Sequence, residues 1–164
     1  MSKKVMVFVG TSKDGFIFSS DEKRKKWQTE DIQFKSWNVM HIQLDPRDQR
    51  LHAATSHFVY GPTTHYSDDL GKTWTQAKQV PLLTRSSKSG RPASTVDEAF
   101  RSEGGEDIKD KPEKMIQVWN ITPGRASEPN VLYAGAQPAS LYISKDRGET
   151  WELAVVTLDK SHLF

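Results

Sequence analysis

The sequence predicts an all-β protein, a partial β-propeller of about three four-stranded blades, and three observations carry that prediction. Short runs rich in Val, Ile, Tyr and Phe recur between clusters of Gly, Pro, Asp and Ser, and no window keeps a helical period between capping residues. An octet repeats: "SDDLGKTW" occupies Ser67 to Trp74 and "SKDRGETW" occupies Ser144 to Trp151. The octets close two longer segments that align, Ile42 to Gln76 and Trp119 to Leu153, and a repeated unit of that size with several short strands reads as a propeller blade.

In chain order the predicted strands are Val5 to Val9, Phe16 to Phe18, Val39 to Leu44, Leu51 to Thr55, Met115 to Ile121, Val131 to Ala134 and Leu141 to Ile143. Each joins β-branched or aromatic residues and stops at a turn former. A worn third copy opens the chain, where "VFVGTSKDGFIFSSDEKRKKW" lies over "LYAGAQPASLYISKDRGETW" with Gly10 over Gly135. In that register Ser19 and Asp21 hold the places of Ser144 and Asp146, Lys23 replaces the glycine, and Trp27 falls one residue late. The blade-like units are residues 1–38, 39–80 and 114–164. Trp27 to Trp74 spans 47 positions and Trp74 to Trp151 spans 77, so the second interval holds an insertion. Residues 83–112 supply it: Ser, Gly, Pro and both signs of charge, with little apolar beyond Val96 and Phe100, read as a flexible charged loop that buries too little to offset its ordering entropy.

The chain has 164 residues, 35% of them hydrophobic and 27% charged, as expected of one soluble globular domain. Its net charge of +2 comes from 23 basic and 21 acidic residues that are interspersed, so no nucleic-acid or membrane-binding surface is expected. The one dense basic run, Lys23 to Lys26, reads as a solvated hairpin tip. The absence of cysteine excludes disulfides, thiolate nucleophiles and Cys-ligated metals. The apolar run in "MSKKVMVFVG" is too short for a signal-peptide core, no run reaches membrane-helix length, and the expected location is cytoplasmic.

Every octet position has a turn-building role. Ser67 and Ser144 end strands, and Asp69 and Asp146 are placed to accept hydrogen bonds from backbone N–H groups ahead of them. Gly71 and Gly148 supply a positive φ. Thr73, Trp74, Thr150 and Trp151 open the next strand with a β-branched residue and a ring to bury. A catalytic aspartate is the competing reading, but one active site does not need two copies of the same device on different hairpins.

The octet resembles the Asp box of the sialidase-type, or BNR-repeat, β-propellers. "HFVYGPTTHYSDDLGKTW" and "GRASEPNVLYAGAQPASLYISKDRGETWEL" resemble the N-terminal half of bacterial-type proteins labelled BNR-repeat glycosyl hydrolases. The likeness covers most of the chain outside residues 83–112. It implies an Asp-box propeller, with a turn-fixing role for Asp69 and Asp146 and a packing role for Trp74 and Trp151. It implies no particular activity, because the box also occurs in sortilin-type receptors, photosystem assembly factors and xyloglucanases. Sialidases add an Arg triad, an Asp acid/base and a Tyr nucleophile paired with Glu. Their early Phe/Tyr-Arg-Ile-Pro motif is absent here, and Arg47, Arg50 and Arg125 lie in turn-like segments, so no complete catalytic set is visible.

Loops at the mouth of the channel are the candidate ligand surface. "SHFVYGPTTHY" offers His57, Tyr60, His65 and Tyr66, and "AQPAS" offers Gln137 at the equivalent point of the other unit. His57 and His65 with Asp45 or Asp68 match no standard zinc spacing, so neither metal nor cofactor is expected. The function expected is a binding or scaffold module for a carbohydrate or protein ligand. The alternatives are a glycoside hydrolase whose site forms only in the closed ring from Tyr60, Tyr66, Asp45 or Glu128, and a protein-interaction module using residues 83–112. Propellers close rings of four to eight blades, so the ring is expected to be completed by a homo-oligomer, most simply a dimer, or by a missing C-terminal half.

Overall fold

The computed structural model describes residues 4–79, 81, 115–137 and 140–154, and both the charged segment 83–112 and the terminal "VVTLDKSHLF" lie outside them. The described residues form strands and turns, with no helix among them. They make three antiparallel sheets in which neighbours in sequence are neighbours in space. The first holds β1 (Val5–Gly10), β2 (Gly15–Ser20) and β3 (Trp27–Thr29). The second holds β4 (Asn38–Leu44), β5 (Leu51–His57), β6 (Gly61–Ser67) and β7 (Thr75–Gln76). The third holds β8 (Gln117–Pro123), β9 (Leu132–Gln137), β10 (Ser140–Ser144) and β11 (Glu152–Leu153).

Register makes the three sheets copies of one unit. Val5, Leu51 and Leu132 stand opposite Ser20, Ser67 and Ser144 respectively. The N–H groups of Glu30, Ala77 and Ala154 donate to the carbonyls of Ile17, Thr64 and Leu141, at the same distance past each turn. β4 and β8 each slip register once, between Val39 and His41 and between Val118 and Asn120, which places one bulge per inner strand. The first sheet has three strands because β1 occupies the place of the second strands, β5 and β9.

This register corrects the alignment of the worn copy. Ser20, not Ser19, pairs with Trp27, so "SDEKRKKW" is an octet of the same length as the other two and Trp27 is not displaced. Gly10 and Gly135 are not equivalent, because the loops joining the two middle strands differ in length. In the worn octet Arg24 stands where the others have glycine and takes φ 53°, against 91° at Gly71 and 85° at Gly148.

The sheets stack face to face: β4 lies against β1, and β8 lies across β4, β5 and β6. Between the first two sheets Ile17, Val39, Ile42, Leu51 and Ala53 are buried, with Met6, Phe8, Phe34, Leu44 and Trp74 packed around them. The third sheet turns Val118, Ile121, Leu132, Ala134, Ala136 and Tyr142 inward. Period-2 alternation explains the difference between strands. β5 is covered on both sides and is buried from Leu51 through Thr55, whereas β9 buries Leu132, Ala134 and Ala136 and leaves Tyr133 and Gly135 partly open.

Candidate functional site

Each blade has two ends, one built by the octets and one by the β5–β6 hairpin. At the octet end both turns carry the same hydrogen bonds. The Ser67 hydroxyl donates to Asp69 Oδ1 (2.7 Å) and accepts from Gly71 N (2.8 Å). Asp69 accepts from Thr73 N (2.9 Å) and from the Thr73 hydroxyl (2.7 Å). Ser144, Asp146, Gly148 and Thr150 repeat the set at 2.8, 2.8, 2.9 and 2.6 Å. The bonds from Thr73 and Ser67 hold Asp69 well down, at about 2. At Asp146 burial pulls upward, but the bonds from Thr150 and Ser144 win and its pKa is also lowered.

The octets also bind the blade before them. A side chain at Gly71 would start 2.4 Å from Ile17 Cδ1 on the first sheet, and one at Gly148 would start 3.1 Å from His52 Nδ1 on the second. Trp74 Nε1 donates to Gln33 Oε1 (2.7 Å) and Trp151 Nε1 donates to Thr64 Oγ1 (3.0 Å). Trp27, in the worn octet, is 43% exposed.

Arginines extend this interface. Arg47 forks onto buried Asp45 and reaches across to the carbonyls of Arg125, Glu128 and Val131 in the third sheet's first loop. Arg50 grips Asp68 through two 2.7 Å bonds, donates to the Arg147 carbonyl and lies 4.2 Å over the Tyr66 ring. Arg147 pairs in turn with Asp48 (2.6 Å). Burial raises the Asp45 pKa, but the bonds from Arg47 outweigh it and the net shift is downward; the bond from Arg50 lowers Asp68. A glycosidase acid needs a carboxyl raised so that it keeps its proton. The pKa values of these four aspartates are all lowered, and each holds a turn or a blade contact, Asp68 with its side chain still 59% exposed.

The hairpin end is different. Its three-residue tip, Phe58-Val59-Tyr60, is 91%, 63% and 75% exposed. Behind it Trp37 meets His57 at 4.9 Å between ring centres and Tyr60 at 6.1 Å, and His57 meets Phe58 at 4.5 Å and Tyr60 at 4.9 Å. His65 closes the base against Phe34 (5.0 Å) and Trp37 (5.5 Å), and its Nδ1 lies 3.2 Å from the Thr55 hydroxyl. Burial lowers the His65 pKa to about 4, so the ring is a neutral packing element.

The structure therefore brings three of the candidate loop residues together, His57, Tyr60 and His65. Tyr66 belongs to the octet end under Arg50, and Gln137 ends β9 in the third sheet, exposed, with its carbonyl accepting from Ile116 N. Asp45 and Asp68 flank the Leu51 end of β5 while His57 stands at the other, about 20 Å away along seven residues, and His65, opposite Ala53, is packed on Phe34 and Trp37, so the two histidines do not join the aspartates in one cluster. The same separation divides Tyr60 from Asp45, Tyr66 and Glu128, the residues of the hydrolase alternative. Among the described residues no group of three His, Cys, Asp or Glu is placed to hold a metal ion, and no helix is long and apolar enough to cross a membrane. Phe34 and Trp37 escaped the sequence reading; two rings in "QFKSWN", between units and outside any strand pattern, were the available signal.

The BNR/Asp-box repeat family model matches residues 65–76 and 142–153, the two octets with their flanking strand residues. A solved structure titled "YCF48 bound to D1 peptide" is similar at a TM-score of 0.42 and 10% identity, over 93% of this chain and 42% of that one. The chain thus spans less than half the length of that neighbour. No curated protein matches it. Both matched segments thus lie at the octet turns, one in the second sheet and one in the third, and each of these octets is a BNR/Asp-box repeat.

Proposed function

We propose that the chain is a binding module of the propeller type, that its ligand surface is the aromatic hairpin end, and that further copies of the chain complete its ring. The observation that carries this is the contrast between the two ends. At the octet end the carboxylates and guanidinium groups are consumed by turns and blade contacts. At the hairpin end Phe58, Val59 and Tyr60 stand in solvent over Trp37 and His57. Large apolar side chains grouped at a loop tip are a contact surface, and rings that also carry N–H and O–H groups suit a sugar face or an extended peptide. The lack of cysteine fits a reducing compartment, and we place the protein in the cytoplasm.

Glycan and peptide arrays probed with the wild-type chain and with Phe58→Ala and Tyr60→Ala test this reading. Binding is expected to fall at least about tenfold in each variant, as for central aromatic anchors, with the circular dichroism unchanged. Undiminished binding would overturn it. So would turnover of sialosides or aryl glycosides that disappears on replacing Tyr66 or Glu128, since that would move the working site to the octet end.

A further inference from the structure

Each blade interface inside the molecule joins two unlike faces. One face belongs to the earlier blade and includes Met6, Phe8 and Ile17 in the first sheet and His52, Ala54 and Thr64 at the same register positions in the second. The other belongs to the later blade and includes Leu51, Ala53 and Ser67 in the second sheet and Leu132, Ala134, Tyr142 and Ser144 in the third. The interface occurs twice, and each time the later blade's octet glycine and tryptophan sit on the earlier blade.

Both kinds of face recur on the first and third sheets, uncovered by any described residue. On the first sheet Val5, Val7 and Val9 hold the positions of Leu51, Ala53 and Thr55, and they pair across the strands with Ser20, Phe18 and Phe16. Phe16 and Phe18 stack at 6.1 Å between ring centres, and Val7 is 42% exposed. This is a later-blade face with nothing before it among the described residues. On the third sheet Tyr133, Gly135 and Leu141 hold the positions of His52, Ala54 and Thr64, with Ile143 opposite Tyr133. They alternate with the buried set and remain partly open. This is an earlier-blade face with nothing after it among the described residues.

We infer that these two faces dock on each other between two copies of this chain, the Val5/Val7/Val9/Phe16/Phe18 face of one on the Tyr133/Leu141/Ile143 face of its partner, twice around a two-fold axis. The inference rests on the ring-completion reading above and adds which surfaces meet and how. The occupant is a second copy because the two faces are the unlike halves of an interface the chain already makes twice with itself. A head-to-tail contact of this kind closes when the rotation per blade divides the circle, and the three described sheets of each of two copies then give a six-bladed ring, within the range propellers adopt. One charge pair can recur. In the contact between the second and third sheets Arg147 of the later octet pairs with Asp48 in the earlier blade's first loop. The corresponding later-blade residue on the first sheet is Lys23, and the corresponding loop of the third sheet carries Glu128 beside Arg125, both exposed. The docking also covers Trp27, the one octet tryptophan left 43% exposed.

Because the chain has no cysteine, engineered thiols report the contact directly. The Gly148–His52 approach predicts that Arg24 of one copy lies beside Tyr133 of the other. Light scattering of the wild type should give a dimer, and the R24C/Y133C variant should oxidise to a covalent cyclic dimer while either single variant should not. Val7→Asp should raise the dimer dissociation constant at least about tenfold by placing an unpaired charge in the contact; Leu141→Lys tests the opposite face if Val7→Asp fails to fold. A monomer at every concentration would overturn both the ring-completion reading and this contact, and leave the faces to another polypeptide. A stable dimer without the R24C/Y133C cross-link, or one that both charge variants leave intact, would overturn this contact alone. A ladder of cross-linked oligomers would overturn closure at two copies.

Discussion

Three glycine-to-alanine substitutions separate what a turn requires from what an interface requires. Gly61, Gly71 and Gly148 share a positive φ of 77°, 91° and 85°, and placing an L-residue in that region costs about 1–2 kcal/mol. Their surroundings differ. A Cβ at Gly61 meets nothing within 4 Å, one at Gly148 meets His52 Nδ1 at 3.1 Å and Leu132 Cδ1 at 3.2 Å, and one at Gly71 meets Ile17 Cδ1 at 2.4 Å. Ile17 is fully buried among Val39, Ile42 and Leu51, so its methyl cannot swing aside without displacing them, and forced overpacking of that kind costs about 1–3 kcal/mol more. G61A should therefore lose about 1–2 kcal/mol, G148A somewhat more, and G71A about 2–5 kcal/mol. Urea melts at one fixed protein concentration, analysed by linear extrapolation, measure all three. If G71A proves no worse than G61A, the octet glycine serves only its own turn and the claim that it sets blade-to-blade spacing is wrong.

Acid should weaken the fold in two stages. Burial, and then Arg50, lowers the His52 pKa to about 4, and burial alone takes His65 to about 4. The unfolded rings bind protons near pH 6.5 and the folded ones do not until about pH 4, so this stability is complete above about 6.5 and is lost as pH falls toward 4, by at most roughly 3 kcal/mol per ring. His52→Asn should flatten that limb of a stability-versus-pH curve. Asp69, held at about 2 by Thr73 and Ser67, contributes stability that is complete above the unfolded value near 4 and lost as pH falls through 2, and Asp69→Asn should shrink this second limb, which Asp45, Asp68 and Asp146 share. Arg47→Ala strands the 1% exposed Asp45 and should cost about 3–5 kcal/mol in a urea melt, with Asp45→Ala in the same chain restoring part of it.

The strands and octets were legible because they depend on local rules. Alternating β-branched residues, a Ser-x-Asp-x-Gly-x-Thr-Trp spacing and a positive-φ glycine each act over a few residues, and the strands stand within a residue or two of where the pattern puts most of them. Short outer strands such as β7 and β11 left little trace, since two residues cannot show a period. The register of the worn octet was misread by one residue, because Gly10 and Gly135 look alike while hydrogen-bond pairing, which fixes equivalence, is invisible in the letters. His57, Tyr60 and His65 could be gathered from one hairpin. Trp37 could not, since its contact with them depends on how one blade follows another, and Tyr66 stands apart from them, under Arg50, because neighbours in sequence on a strand point to opposite faces.

The octet is best understood as the place where a blade is fastened to the one before it. Its serine, aspartate and threonine fix a loop whose shape is the same in both copies, and that fixed loop delivers a side-chain-free glycine and an indole N–H onto the neighbouring sheet. The first octet, which meets no earlier sheet among the described residues, departs from that pattern: Glu22, Arg24 and Lys26 stand in place of the aspartate, glycine and threonine, and Asp21 instead accepts from Lys23 N and Arg24 N to hold a different turn. Arg24 keeps a positive φ without glycine, so its turn carries a strain that the two glycine turns lack. Restoring the octet in full by E22D, R24G and K26T should stabilise the monomer by about 1–2 kcal/mol as that strain is released and should also tighten self-association, and a variant that stabilises the monomer without affecting association would show that the octet works within its own blade.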